Sequence, residues 1–121
     1  MAYFGVFDGH GGNKACDYLM HNLHVNLFNQ KDHFRFAFCL RLASWGLAIM
    51  LLMVCLRAGR FDQAFKEAFK LSDEQLITEL TKRGLASGSS ACCALLVNNL
   101  LTVAWAGPSF TVFSFHLCFP F

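Results

Sequence analysis

Tyr3-Phe4-Gly5-Val6-Phe7-Asp8-Gly9-His10-Gly11-Gly12 is the stretch on which the fold turns. Its first half, 3–7, is a short apolar run, and Asp8 to Gly12 is a turn-forming cluster, so the segment reads as a buried strand feeding a glycine-rich loop. From Asn13, a candidate N-cap, apolar residues recur at Cys16, Leu19, Met20, Leu23 and Leu27, one face of a helix of about four turns. Strand, tight loop and helix follow in that order, which puts any chemistry at their junction. There Asp8 has the carboxylate that a hard cation such as Mg²⁺ or Mn²⁺ prefers, and Gly9 lets a backbone carbonyl come close as a second oxygen. His10 exchanges a proton near neutral pH. A plain strand–helix turn, in which Asp8 and the glycines only shape the backbone, accounts for the same letters.

The second organised region begins after Gly59. Phe61, Ala64, Phe65, Ala68 and Phe69 line one helical face, Leu76, Ile77 and Leu80 extend it, and Lys82-Arg83-Gly84 reads as a helix C-terminus. Ser72-x-x-Gln75 matches a capping box, so 61–83 is either one helix or two broken near Leu71-Ser72. Ser87-Gly88-Ser89-Ser90 reads as a loop. Ala91–Val97 and Leu100–Trp105, separated by Asn98-Asn99, read as a hairpin buried on both faces. Phe113, Phe115, Leu117 and Phe119 alternate as a last strand would.

These residues carry a family resemblance. Tyr3 to Gly12 resembles the signature of the metal-dependent Ser/Thr protein phosphatases (the PPM or type 2C family). Ser87-Gly88-Ser89-Ser90-Ala91, the hairpin, and Val103-Ala104-Trp105-Ala106-Gly107-Pro108-Ser109 resemble that family's second block in the same order. The resemblance covers about 1–32 and 59–109. It implies an α+β fold, a partial β-sandwich flanked by helices, with two divalent ions, Mg²⁺ or Mn²⁺, at one sheet edge. Under it Asp8 is the metal-bridging carboxylate, Gly9 offers its carbonyl to the metal, and His10 is the general acid toward the leaving oxygen. The implied reaction is hydrolysis of phosphoserine and phosphothreonine in proteins by a water that the ions activate.

The sequence departs from the family at three places. No counterpart of the family's upstream strand precedes Tyr3, position 108 is Pro where the family has Asp, and the sequence after Ser109 is unlike it. The expectation is therefore a truncated domain with weak or no activity of its own. The alternatives are a non-catalytic regulatory or decoy module, or a small membrane-associated protein using 34–57. The stretches 33–58 and 110–121 are the non-family ones and are read as derived from foreign coding sequence. Leu42 to Leu56 lacks charge, yet reaching the roughly 20 residues a membrane span needs brings in Arg35 and Arg41, so a buried or interface helix is favoured over a span.

Composition bounds the rest. The chain has 121 residues, 55% hydrophobic and 15% charged, with a net charge of +2. That is one small domain, with apolar surface in surplus and too little scattered positive charge for nucleic acid. Six cysteines (16, 39, 55, 92, 93 and 118) without a C-x-x-C pair or a secretory signal read as reduced thiols of an intracellular protein, in cytoplasm or nucleus. His21 and His24 are read as solvated beside Asn22 and Asn26, and the edge where upstream strands would pair is expected to promote aggregation.

Overall fold

The structure is a computed structural model that describes residues 1–30, 47–107 and 112–118. Six elements follow in chain order: β1 (Ala2–His10), α1 (Lys14–Phe28), α2 (Leu47–Lys82), β2 (Gly88–Val97), β3 (Leu100–Ala106) and β4 (Val112–Cys118). The four strands form one antiparallel sheet in the order β1-β2-β3-β4.

Both helices pack on the same face of that sheet. Leu19, Leu23 and Leu27 of α1 meet Phe61, Ala64, Phe65, Ala68 and Phe69 of α2 over Ala91, Cys93, Leu95, Leu100 and Ala104. The helical spacing of the apolar residues thus predicts the core well, and it errs at Met20 and Ile77, each 54% exposed. Met20 sits beyond the edge of the stripe, where a flexible apolar side chain tolerates water.

Burial along β2 alternates, with Ala91, Cys93 and Leu95 inside and Cys92 exposed. The expectation of a hairpin buried on both faces is therefore corrected: helices cover one face among the described residues. The other face presents Phe4, Val6 and Trp105. Asn98 takes the hairpin turn at φ 54°, the left-handed region that Asn tolerates.

Three boundaries differ from the sequence reading. β1 runs through Asp8 and Gly9 to His10, because Gly88, Ser89 and Ser90 pair with them as strand and not as loop. The second helix is continuous from Leu47 through Gly59 to Lys82, so it neither starts after Gly59 nor breaks at Ser72. Ser72 is fully buried and its Oγ accepts from Asn26 Nδ2 at 2.9 Å, which ties α2 to α1 instead of capping a helix. The helix does end at Gly84 as expected: Leu85 N–H donates to Leu80 O and Gly84 N–H to Thr81 O, with Gly84 at φ 63°.

The readings that fall on 33–46, Pro108, Ser109 and the end of the tail lie outside the described residues. Among the described residues no helix is long and apolar enough to cross a membrane.

Candidate functional site

Strand alternation sorts the signature residues. Tyr3 and Phe7 pack against the core, and the Cα of Gly9 faces α1, where an added Cβ would stand 3.0 Å from Cys16 Sγ. Asp8 and His10 consequently share the opposite face of the strand, and His10, at its end, also borders a cleft against α2. In register they stand across from Ser90 and Gly88. Both are exposed, at the polar end of a face that is otherwise apolar.

The turn after His10 is built from glycine because the chain must reverse into α1 at once. Gly11 and Gly12 take φ 68° and 118°, values that other L-residues adopt only at a cost. Asn13 holds the N-cap position but its side chain makes no capping bond. Ser87, 72 residues on from Ala15, supplies it: its Oγ accepts from Ala15 N–H at 3.2 Å and lies 3.1 Å from the Gly12 carbonyl and 3.5 Å from that of His10. Ser89 Oγ donates to the Asp8 carbonyl at 3.1 Å. The Ser-Gly-Ser stretch thus fastens the signature loop from the neighbouring strand. Nothing local in the sequence pairs Ser87 with Ala15, and the only signal was that Asn13 and Ser87 are both capping-type residues bordering glycines.

A cleft of about 470 Å³ opens where α2 meets this end of the sheet. Its lining joins His10, Ser87, Gly88 and Ser89 to Phe69, Leu76 and Ala106, with Lys66 and Lys70 as its cations.

Asp8 has the right chemistry for a hard divalent ion, and its neighbours Gly9 and His10 add a carbonyl and a proton-exchanging ring. Yet among the described residues no three His, Cys, Asp or Glu side chains gather into a metal site. Asp17 is exposed on α1 and does not complete one. A Mg²⁺ or Mn²⁺ ion asks for near-octahedral oxygen ligation. The described residues fit one share of such a site and not the whole.

Of the α1 histidines His21 is exposed, as expected, and His24 is half-buried. His21 Nδ1 lies 2.7 Å from the Asp17 carbonyl, and the His24 ring lies 6.2 Å from that of Tyr3. The expected polar stripe is corrected at Asn26, which is buried and bonds Ser72 and Gln75. Burial pushes the Tyr3 phenol well up, reinforced by its 3.2 Å contact with Cys93 Sγ. Burial likewise raises the Cys93 thiol to about 11, against the opposing pull of the Tyr3 hydrogen bond. Cys16, Cys92 and Cys93 are free thiols.

Comparison with known proteins gives a consistent picture. The family model described as Protein phosphatase 2C matches residues 1–115. Protein phosphatase 1F of Mus musculus is 34% identical over 108 residues, covering 89% of this chain and 19% of that protein. Probable protein phosphatase 2C 11 of Arabidopsis thaliana is 32% identical over 114 residues, 94% of this chain and 24% of that one. The fold is similar to that of the serine-threonine phosphatase 2C from Toxoplasma gondii, with a TM-score of 0.69 at 16% identity over 97% of this chain and 39% of that structure. The chain spans about a fifth of the length of the first curated relatives it matches.

Proposed function

The chain belongs to the protein phosphatase 2C family, and from that premise we propose that it carries one part of a metal-dependent protein Ser/Thr phosphatase centre. The observation that carries this reading is the shared sheet face of Asp8 and His10, within a chain whose residues 1–115 match the family. In this reading Asp8 contributes its carboxylate and Gly9 its carbonyl toward Mg²⁺ or Mn²⁺. The family depends on such ions in general, and when bound they supply the charge that makes a water nucleophilic at neutral pH.

The chain's own residues do the rest. His10 holds a proton for the departing serine or threonine oxygen, since an alkoxide leaves poorly without one. The Ser87 and Ser89 hydroxyls fix the loop from which both groups project. Phosphoserine and phosphothreonine proteins are the proposed substrates. With one share of the ligands, the chain alone hydrolyses them slowly or not at all, and full turnover needs carboxylates from beyond the described residues.

The test is hydrolysis of a phosphothreonine peptide by the 121-residue chain with and without Mn²⁺, beside calorimetric titration of the ion. Weak Mn²⁺-dependent turnover that Asp8→Asn abolishes, together with loss of Mn²⁺ uptake, is the expected result. Mn²⁺ uptake through Asp8 without turnover assigns a non-catalytic, regulatory or decoy role. No uptake at all refutes the metal role of Asp8.

A further inference from the structure

Gly88 stands directly across from His10 in the β1–β2 register, on the face that carries Asp8. The His10 imidazole lies over its Cα. A Cβ built on Gly88 would run into Nε2, and would stand 2.8 Å from Cε1 and 3.1 Å from Cδ2. All three contacts are ring atoms at the end of the His10 side chain, so a Cβ at position 88 would make the ring swing aside from this seat. Backbone freedom is not the reason for glycine here, because the left-handed glycines among the described residues are Gly11, Gly12 and Gly84 and do not include Gly88. Gly107, just past β3 and on the same cleft, offers the contrast of open space, with nothing within 4 Å of an added Cβ.

The backbone on either side of Gly88 is pinned to the signature loop. Ser87 Oγ bonds the Gly12 carbonyl and Ser89 Oγ the Asp8 carbonyl. With both flanks fixed, position 88 cannot back away from the ring. We infer that Gly88 is a positioning residue: its bare Cα seats the His10 imidazole on the sheet face beside Asp8, where a larger residue would displace it. The catalytic value of that seat rests on the reading of His10 as the proton donor.

The seat itself is testable by NMR on the 121-residue chain, without turnover. The Gly88 Hα signals should be displaced by the imidazole ring current and show NOEs to the His10 ring protons. Both effects should vanish in His10→Ala. Gly88→Ala should shift the His10 ring resonances, whereas Gly107→Ala should leave them in place.

Activity is read in parallel on two substrates. Displacing a general acid should slow the phosphothreonine peptide by about tenfold or more. An aryl phosphate, whose phenolate leaves unprotonated, should lose far less. Unmoved His10 resonances in Gly88→Ala overturn the proposal. If that variant does not fold, an unchanged Gly88 Hα in His10→Ala overturns it instead. A wild-type chain that hydrolyses neither substrate leaves His10 without a catalytic role in this chain alone, and the spectra still decide the seat.

Discussion

Ser87 and Asn13 exchange the roles their positions suggest. Asn13 precedes α1 and is a favoured capping residue by type, yet the orphan N–H of Ala15 is satisfied by Ser87 Oγ. Truncating a working cap costs about 1 kcal/mol, so Ser87→Ala should lower the unfolding free energy by that order, read as a lower urea midpoint, while Asn13→Ala should leave it nearly unchanged. Equal losses would show that Asn13 caps the helix in solution. The adjacent cysteines separate just as sharply. Cys92 is exposed and Cys93 is 1% exposed with its thiol held up at about 11. Iodoacetamide at pH 8 should therefore alkylate Cys92 and spare Cys93 until the chain is unfolded. The same burial makes stability fall with pH. Because the native state keeps the Cys93 proton up to about 11 and the unfolded state releases it near the ordinary 9.0, the native state binds more protons between those values. Stability present below pH 9 is then lost as the pH climbs through that window, with Tyr3 acting in the same direction above its ordinary 10.0. Urea midpoints at pH 8.5 and 11, in wild type and Cys93→Ala, measure it: the drop should be smaller in the variant.

Elements whose partners are local were legible in the sequence, and those whose partners are distant were not. The Asn98-Asn99 turn, the Gly84 stop and, apart from Met20 and Ile77, the apolar stripes of both helices each depend on residues within a turn or two, and each stands where the sequence puts it. The family signature marked Asp8, Gly9 and His10 as a group, and the sheet does bring Asp8 and His10 to one face. Gly88–Ser90 looked like a loop, as Ser87 is, because its pairing partner lies about 80 positions away in β1. Ser72-x-x-Gln75 looked like a capping box because its true partner is on α1. Tyr18 Oη donates to Gln75 Oε1 at 3.1 Å, and Asn26 Nδ2 donates to both Gln75 and Ser72 at 2.9 Å. This polar joint between helices sits beside a core of Leu27, Phe61 and Phe65 and fixes their relative register. Removing one buried partner leaves part of Asn26 unsatisfied, at about 1–3 kcal/mol. Thermal or urea denaturation of Ser72→Ala should show a loss in that range, and a variant as stable as wild type would mean that water replaces the hydroxyl.

At the scale of the molecule, the apolar surplus of the composition has a location. The helices use one face of the sheet, and the other carries Phe4 at 63% exposure, Val6 at 71%, Trp105 at 38% and Leu117 at 47%. Cross-strand register makes these one surface: Val6 stands opposite Cys92, and Cys92 opposite Trp105. Among the described residues only the Asp8–His10 end of β1 adds charge to it, so none of them along its middle opposes contact with a second apolar surface. β1 is moreover an edge strand of nine residues, a template for further pairing. A contiguous exposed patch of this kind drives association unless something covers it. The chain should accordingly sediment as concentration-dependent oligomers and enhance the fluorescence of an apolar dye. Replacing Phe4 and Val6 together by Lys places two like charges on the face at positions already open to water, so the fold should persist, with unchanged circular dichroism. Association and dye binding should both fall. A wild-type chain that stays monomeric and leaves the dye dark at high concentration would show that this face is covered within the chain itself, by residues outside the described ones.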